Sequence, residues 1–390
     1  MPRSATKPSS PPGGNRSSDT LSLRALNRAT LERQMLLRRW RMPMLDAIER
    51  LVGLQAQTPH SWYQGLWARL EDFQPERLAQ MLVERQVARI ALMRSTIHLV
   101  TARDCLTLRP LMQPVIERST KGNFGRHWIG LDTEAFIAAG RELVEEQPRT
   151  FSELGKLLAE RWPNRDAAAL AQAIRAWVPL VQTPPRGVWG ASGTAVHTTA
   201  EAWLGRPLAA NPSLEEMILR YLAAFGPATV KDMQTWSGLT RLSEVTEQLR
   251  PRLVTFRDEH GRELFDLPDA PRPDPDTPAP PRFLYDYDNL LLSHADRTRV
   301  ITDAYHKQGF TMDGPMPCIV LIDGFTNGTW KIVRQRKAAT LTIKPFRRLS
   351  KKETAALTEE GAQLLAFAEA DADAHNIEFT SPPKIGGTGW

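Results

Sequence analysis

Apolar residues recur at helical spacing along most of this chain, and alternating, β-branched segments follow several of the helices that they predict. Helical spacing is found in residues 45–52, 75–84, 136–144, 166–177 and 214–225. VARIALMRSTIHLVTARD predicts two strands turning near Arg94, and RLVTFRDEHGRELFDL predicts a hairpin turning at residues 258–261. A helical group followed by a hairpin is typical of a winged helix.

This pattern occurs three times, and its later copies share a start motif. QPRTFSELGKLL and GPATVKDMQTWSGL both place Pro-x-Thr before a helix, which indicates a divergent internal repeat. Beyond a proline-rich linker, strands are predicted with turns at Asp323-Gly324 and Asn327-Gly328, then a helix over residues 352–369. The predicted division is a disordered tail at 1–20, winged-helix units at 21–130, 131–208 and 209–268, the linker at 269–282 and a C-terminal domain at 283–390.

Composition narrows the class of protein. The chain has 390 residues, 42% of them hydrophobic, and a formal net charge of +6, which permits a polyanionic partner. No apolar run approaches the roughly 20 residues that span a bilayer, and the N-terminus lacks an apolar signal core. Because the two cysteines, Cys105 and Cys318, are isolated, we expect a cytoplasmic protein without a disulfide framework or a cysteine zinc site.

Two glutamines stand out in VGLQAQTPHSW, which connects two predicted helices. Gly53 is a predicted helix stop, and Thr58 with Pro59 predicts the start of the next helix. On a helix, side chains two residues apart point about 200° from each other, whereas in an extended segment they share one side. The connector therefore predicts that the amides of Gln55 and Gln57 can reach one point, with Ala56 facing away.

Familiar catalytic signatures such as GxGxxG, HExxH and GxSxG are absent from the sequence. Asp371 and Asp373 near His375 could hold a metal, but a solvated helix end is the favoured interpretation, and we expect no metal. Basic residues crowd residues 24–41 and 331–352, and arginines such as Arg94 and Arg186 punctuate the predicted hairpins. With the repeated winged helices, these cations favour a DNA backbone partner, because phosphate contacts supply most sequence-independent affinity.

Four segments carry a resemblance to a known family. LVGLQAQTPHSWYQGLWARL, MRSTIHLVTARD, LYDYDNLLLSHADRTRVI and IDGFTNGTWKI resemble the bacterial AlkZ/YcaQ family of winged-helix DNA glycosylases, over about residues 23–365. The family motif is Gln, a small or aliphatic residue, then Gln or Asp, and Gln55-Ala56-Gln57 is its AlkZ-like form. The resemblance implies a mainly α fold with β, in which three tandem winged-helix domains and a C-terminal β-barrel-like domain surround a positively charged concave surface.

The resemblance also implies site residues. It makes Gln55 and Gln57 catalytic and places Arg94, Thr96 and His98 close to DNA, as Arg186 is expected to be from its hairpin position. His294 and Arg297, in SHADR, look like the family's C-terminal motif. Three roles stay open for that motif. They are DNA contact, packing against the first domain, or a buried pair of Asp296 with Arg297 or Arg299.

The implied chemistry explains why glutamines suffice. An N7- or N3-alkylated purine carries a positive charge and already is a good leaving group, so a general acid is dispensable. What remains is to position a water beneath C1′, which amides can do by accepting and donating hydrogen bonds. We expect a monofunctional hydrolase that needs no cofactor, acts as a monomer on alkylated double-stranded DNA, unhooks interstrand crosslinks, and is nucleoid-associated in the cytoplasm.

Two other functions remain open at this point. A non-catalytic winged-helix regulator would bind a specific DNA sequence, usually as a dimer with spaced half-sites. The second is a hydrolase acting on another polyanion, such as RNA, and the net charge is the only feature of the sequence that supports it. Release of a free base distinguishes the glycosylase from both.

Overall fold

A computed structural model describes residues 20–308 and 316–382 of the chain. The predicted disordered tail lies outside these ranges except for Thr20, as does the chain end from residue 383 onward. Among the described residues, no helix combines the length and the apolar character needed to cross a membrane.

Fifteen α-helices and thirteen strands form within the described residues. The helices are α1 Leu23–Arg33, α2 Met44–Arg50, α3 Ser61–Trp67, α4 Pro75–Val83, α5 Ala102–Leu111, α6 Gln113–Phe124, α7 Thr133–Glu146, α8 Phe151–Arg161, α9 Ala167–Trp177, α10 Ala200–Leu204, α11 Leu214–Phe225, α12 Val230–Ser237, α13 Ser243–Leu249, α14 Asp303–His306 and α15 Lys351–Ala368. The strands are β1 Thr20–Leu21, β2 Leu54–Gln55, β3 Val87–Ala91, β4 Ile97–Thr101, β5 Leu180–Gln182, β6 His197–Thr199, β7 Val254–Asp258, β8 Glu263–Asp266, β9 Arg282–Leu284, β10 Ile319–Ile322, β11 Phe325–Gln335, β12 Ala338–Pro345 and β13 Ala374–Phe379.

The two Pro-x-Thr motifs begin helices in the same way. Thr150 before α8 and Thr229 before α12 each accept a hydrogen bond from the third helical residue, whose carboxylate accepts one from the threonine N–H. These reciprocal bonds satisfy backbone groups that a helix start leaves unpaired. The repeated sequence signal therefore corresponds to a repeated local structure.

The first sheet joins strands from two of the predicted units. Its order is β2-β4-β3-β5-β6, with all neighbours antiparallel. The predicted hairpin turn near Arg94 is confirmed, since a one-turn 3-10 helix at Met93–Ser95 separates β3 from β4. Strand β5 adds to β3, with Arg89 opposite Gln182, so this sheet crosses the predicted unit boundary at residue 130. The sheet holds β2, and with it Gln55, at one edge.

The third predicted hairpin is also confirmed. Strands β7 and β8 pair antiparallel around a turn at residues 258–261, where Gly261 has a φ of +76°. Strand β1 adds to β7 in parallel register. Helix α11 packs Tyr221 and Phe225 into a core shared with α12 and with the first sheet, so the third unit is tied to the first by apolar burial.

The C-terminal strands form an open sheet rather than a closed barrel within the described residues, which corrects the β-barrel-like expectation. The strand order is β13-β12-β11-β10-β9, and the two outermost strands, β9 and β13, do not pair with each other. Strand β13 runs parallel to β12 because α15 forms the crossover between them. Leu357, Leu364 and Leu365 of α15 cover one face of the sheet.

One of the two predicted turns in this sheet is wrong. Asp323 and Gly324 both have positive φ and connect β10 to β11, as predicted. Asn327 and Gly328 instead lie inside β11, where a Cβ on Gly328 would come within 2.9 Å of the Lys344 carbonyl oxygen. The glycine there permits close approach of two strands and not a chain reversal.

Arginines of the first helix were expected to face DNA, but several of them bind other parts of the protein. Arg33 forms a buried ion pair with Asp266, at 2.7 Å, and Arg24 pairs with Asp323, at 2.6 Å. The linker supplies backbone acceptors, which are Pro275 for Arg24 at 2.8 Å, Thr277 for Arg28 at 2.6 Å and Pro271 for Arg33 at 3.2 Å. These cations hold α1 against the linker and the C-terminal sheet.

Candidate active site

The two glutamines lie where α2 turns into β2. Two residues after α2, Val52 has a left-handed φ of 53°. Its N–H donates to the Glu49 carbonyl, and the Gly53 N–H donates to the Ile48 carbonyl. Gln55 then pairs with His98 across β4, and the Ala56 N–H donates to the Ile97 carbonyl at 2.7 Å. The extended path predicted for the connector is therefore confirmed at its first residues.

The helix that follows starts later than predicted. Helix α3 begins at Ser61, after His60 with a φ of 71°, and not at Thr58 and Pro59. The Thr58 hydroxyl donates to the carboxylate of Asp286 instead of capping a helix. The difference follows from a tertiary contact, because Asp286 belongs to the C-terminal part of the chain.

Gln55 is almost fully enclosed, with 3% of its surface exposed. Its Oε1 accepts a hydrogen bond from Arg94 Nη2 at 2.7 Å. Its backbone N–H donates to Asn289 Oδ1 at 3.3 Å, while Asn289 Nδ2 donates to the Gly53 carbonyl at 2.7 Å. Asn289 thus fixes the backbone at Gly53 and at Gln55. No local sequence pattern predicts this role.

Gln57 is held much less tightly. Gln57 is exposed. Its Oε1 accepts a hydrogen bond from the Ile97 backbone N–H, and at 3.4 Å this bond is long. Between the glutamines, Ala56 is fully buried, and its carbonyl accepts from Arg89 Nη2 at 3.0 Å. Because Gln55 is also buried, burial does not separate the two side chains, and the side on which Ala56 faces stays a prediction.

Arg94 connects the motif to the third unit. It has a φ of 55° in the 3-10 turn, and its Nη1 donates to the Trp236 carbonyl in α12 at 2.5 Å. Burial lowers the pKa of the Arg94 guanidinium to about 10, and the charge of nearby Arg297 contributes in the same direction. The group stays protonated at neutral pH and brings positive charge next to Gln55.

His98 lies behind the motif with a neutral ring. Its Nδ1 is 3.0 Å from the Thr96 carbonyl oxygen, which can only accept, so Nδ1 carries the proton. Burial lowers the pKa of His98 to about 3, and the charge of Arg94 acts in the same direction. The imidazole is fully buried, so it offers no face to DNA in this structure.

The SHADR segment packs against the third unit. His294 is 1% exposed, and its Nε2 lies 3.0 Å from the Phe225 carbonyl oxygen. Asp296 pairs with Arg262, at 2.6 Å, rather than with Arg297 or Arg299, so the pairs considered from the sequence are wrong. Burial of His294 corresponds to the packing alternative, although the packed surface belongs to α11 and not to the first unit.

The other predicted DNA contacts lie at more open positions. Thr96 and Arg297 are half-buried, and the Thr96 hydroxyl donates to the Met93 carbonyl at 3.0 Å. Arg186 is half-exposed in the segment after β5 and donates to the Gly193 carbonyl at 3.0 Å. DNA contact stays a prediction for these residues and for the half-buried Arg94.

Residues of the C-terminal part were missed as site components by sequence reasoning. Tyr285 is buried against the core that contains Ala56, and Asp288 forms a buried pair with Arg69 at 2.7 Å. With Asn289, they belong to LYDYDN, which the resemblance had singled out without assigning a role. Among the described residues, no cluster of three or more His, Cys, Asp or Glu side chains could hold a metal ion.

Comparisons with known proteins give a family and a similar fold. A family model described as DNA glycosylase AlkZ-like matches residues 48–367, a range that contains both glutamines and the SHADR segment. The DNA glycosylase AlkZ of Streptomyces sahachiroi has a similar fold, with a TM-score of 0.74 over 93% of this chain and 100% of that chain. Its sequence is 19% identical, so this match shows the fold alone. The search of curated proteins found no match.

Proposed function

The chain belongs to the AlkZ-like DNA glycosylase family, and on that premise we propose that it hydrolyses the N-glycosidic bond of cationic N-alkylated purines in double-stranded DNA. The proposed lesions are of the N7-alkylguanine type. Gln55 and Gln57 position the attacking water in this reaction. No cofactor takes part, and the enzyme acts as a monomer.

The reaction balances without an acid. The C1′–N bond breaks with its electron pair moving to the purine, which leaves as a neutral alkylated base. The water oxygen forms the new bond to C1′, and its proton passes to solvent. Because the leaving base already carries the positive charge, the protein only has to hold the water and stabilise the oxocarbenium-like sugar.

The observation that carries the proposal is the chemistry around the two amides. The hydrogen-bond partners of the two side-chain amides among the described residues are the Arg94 guanidinium and the Ile97 backbone N–H, neither of which is a carboxylate. His98 is neutral, and its Nδ1 proton is donated to the Thr96 carbonyl. The arrangement supports water positioning by amides rather than general acid catalysis.

Contacts with the DNA backbone are proposed for the accessible cations near the motif. The charge of Arg186 lowers the pKa of His60, and that of Arg297 lowers the pKa of Arg94, so positive charge from both acts on residues close to the motif. This charge suits a DNA strand that passes over the exposed Gln57. Such a shallow approach would also admit bulky adducts and interstrand crosslinks, which we propose as further substrates.

Release of free base tests the proposal. A duplex with one 7-methylguanine should yield the free base and an abasic strand that breaks only after alkali treatment. A matched duplex with hypoxanthine, which is uncharged, should react at least about 100-fold more slowly, because no general acid assists its departure. Tight binding of both duplexes without release would favour the non-catalytic regulator.

A further inference from the structure

The carbonyl oxygens of both glutamines are already engaged by groups that can only donate. A guanidinium has no acceptor atom, so the atom of Gln55 that lies 2.7 Å from Arg94 Nη2 must be its oxygen. The same argument assigns the oxygen of Gln57 next to the Ile97 N–H. The orientation of each amide therefore follows from its neighbour's chemistry.

The two engagements differ in strength. The Arg94 bond is short and charge-assisted, and Gln55 is nearly fully buried, so this amide cannot rotate without losing it. The Ile97 bond is 3.4 Å long, and Gln57 is exposed, so its amide can turn at little cost. One glutamine is held rigidly and the other is adaptable.

Arg94 is itself fixed from several sides. Its other guanidinium nitrogen donates to the Trp236 carbonyl, and Gly238 leaves room for the Arg94 backbone, since a Cβ there would come within 3.4 Å of it. Arg175 donates to the carbonyl of the next residue, Ser95, at 2.7 Å. A left-handed φ at both Arg94 and Ser95 persists only because the surroundings determine it.

We propose that Arg94 is a positioning residue that fixes the Gln55 amide, with its oxygen toward the guanidinium and its NH2 group pointing away from Arg94. Gln57 is then the adaptable acceptor for the water. This inference rests on the proposed function. It replaces direct DNA contact as the main role of Arg94. The two glutamines then have different roles. Gln55 provides a fixed hydrogen-bond donor, and the Gln57 amide moves with the water during the reaction.

A double-mutant cycle between Arg94 and Gln55 tests this role. Single-turnover release of 7-methylguanine at saturating enzyme should fall about 100-fold in Arg94→Met, as expected for misplacement of a reacting group. The dissociation constant for the same duplex should change less than about twofold. Adding Arg94→Met to Gln55→Ala should cost less than about threefold more, because the two residues act as a unit.

Arg118→Met is a matched control, because Arg118 donates to the Gly238 carbonyl at the same junction with α12 but does not touch a glutamine. It should keep the wild-type rate. A phosphate-contact role predicts a different result, namely an unchanged saturating rate, weaker binding and a salt-dependence slope reduced by about 0.9. That result, or full additivity in the cycle, would overturn the positioning role.

A second measurement does not depend on catalysis. The side-chain amide resonances of Gln55, assigned by comparison with Gln55→Ala in ¹⁵N-labelled protein, should shift in Arg94→Lys and stay in place in Arg118→Met. Unshifted resonances in Arg94→Lys would contradict the contact. Absence of base release by the wild-type enzyme would overturn the proposed function, whereas an unshifted amide would overturn the Arg94 assignment alone.

Discussion

Two groups of arginines in this protein, Arg33 with Arg69 and Arg89 with Arg94, differ in their partners. Arg33 and Arg69 are fully buried and pair with Asp266 and Asp288, each at 2.7 Å. Arg89 and Arg94, next to the glutamines, donate instead to neutral oxygens of the Ala56 carbonyl and the Gln55 amide. The first group joins distant parts of the chain, and the second surrounds the candidate active site.

The two groups also differ in how their charge is compensated. Burial lowers the pKa of Arg89 and of Arg94 to about 10, and a neighbouring arginine adds to the effect in each case. Both guanidinium groups remain protonated at neutral pH. Among the described residues, no carboxylate forms an ion pair with either of them, so their charge is not compensated. An uncompensated positive charge beside two amides suits a polyanionic substrate.

The largest effect on stability is expected where a buried pair is broken. Arg69→Met leaves the Asp288 carboxylate buried without its cation, and the free energy of unfolding should fall by about 3–5 kcal/mol. Urea unfolding measures this loss, and Arg69→Met/Asp288→Asn should recover part of it, since the second change removes the orphaned charge. If the double variant is no more stable than the single one, the pair does not act as described.

Protonation of His98 should produce the next largest effect. The pKa of His98 is lowered from 6.5 to about 3 by burial and by Arg94, so below pH 6.5 the unfolded chain binds a proton that the folded chain excludes. Its contribution to stability is complete above pH 6.5 and is lost as the pH falls toward 3, by up to about 1.4 kcal/mol per pH unit. Unfolding of His98→Gln between pH 6.5 and 5 should show a correspondingly smaller slope, and an identical slope would contradict the buried neutral ring.

Arg89 sharpens the comparison because its removal orphans no charge. Arg89→Met loses a hydrogen bond to Ala56 and the stacking of the guanidinium on Trp62, 4.5 Å from the ring centroid, but removes a buried cation. The free energy of unfolding should change by no more than about 1 kcal/mol. A loss as large as that of Arg69→Met would mean that the two groups of arginines do not differ in kind.

Arg24 should give the smallest effect. Its side chain is 38% exposed, and its pair with Asp323 competes with water, so Arg24→Met should cost less than about 1 kcal/mol. Chemical unfolding at low and high salt measures it, with a smaller difference from wild type at high salt. An effect comparable to that of Arg69→Met would show that exposure does not set the strength of these pairs.

Local signals account for what the sequence predicted. The threonines at 150 and 229 begin helices through bonds to residues three positions away, and the Asp323-Gly324 turn needs only its own backbone conformation. That the two glutamine amides reach one point stays a prediction, since Gln55 is buried and Gln57 is exposed. Asn327-Gly328 has the same local signature and fails, because pairing with β12 overrides it.

The rest depends on contacts between distant residues. Arg69 and Asp288 are 219 positions apart, and Asn289 reaches Gln55 across 234 positions, so no pattern within one segment indicates either contact. The N-terminal arginines look like a DNA-binding cluster until their acidic partners are known. The bond of Arg94 to Gln55 likewise depends on a turn held by two other helices.

Single-turnover release of 7-methylguanine by Gln55→Ala/Gln57→Ala, with duplex affinity measured on the same preparation, tests the central claim most directly. The account predicts a rate at least about 100-fold below wild type with affinity changed less than about twofold, because the amides position water and do not hold the DNA. Release at the wild-type rate, or a loss explained fully by weaker binding, would contradict it.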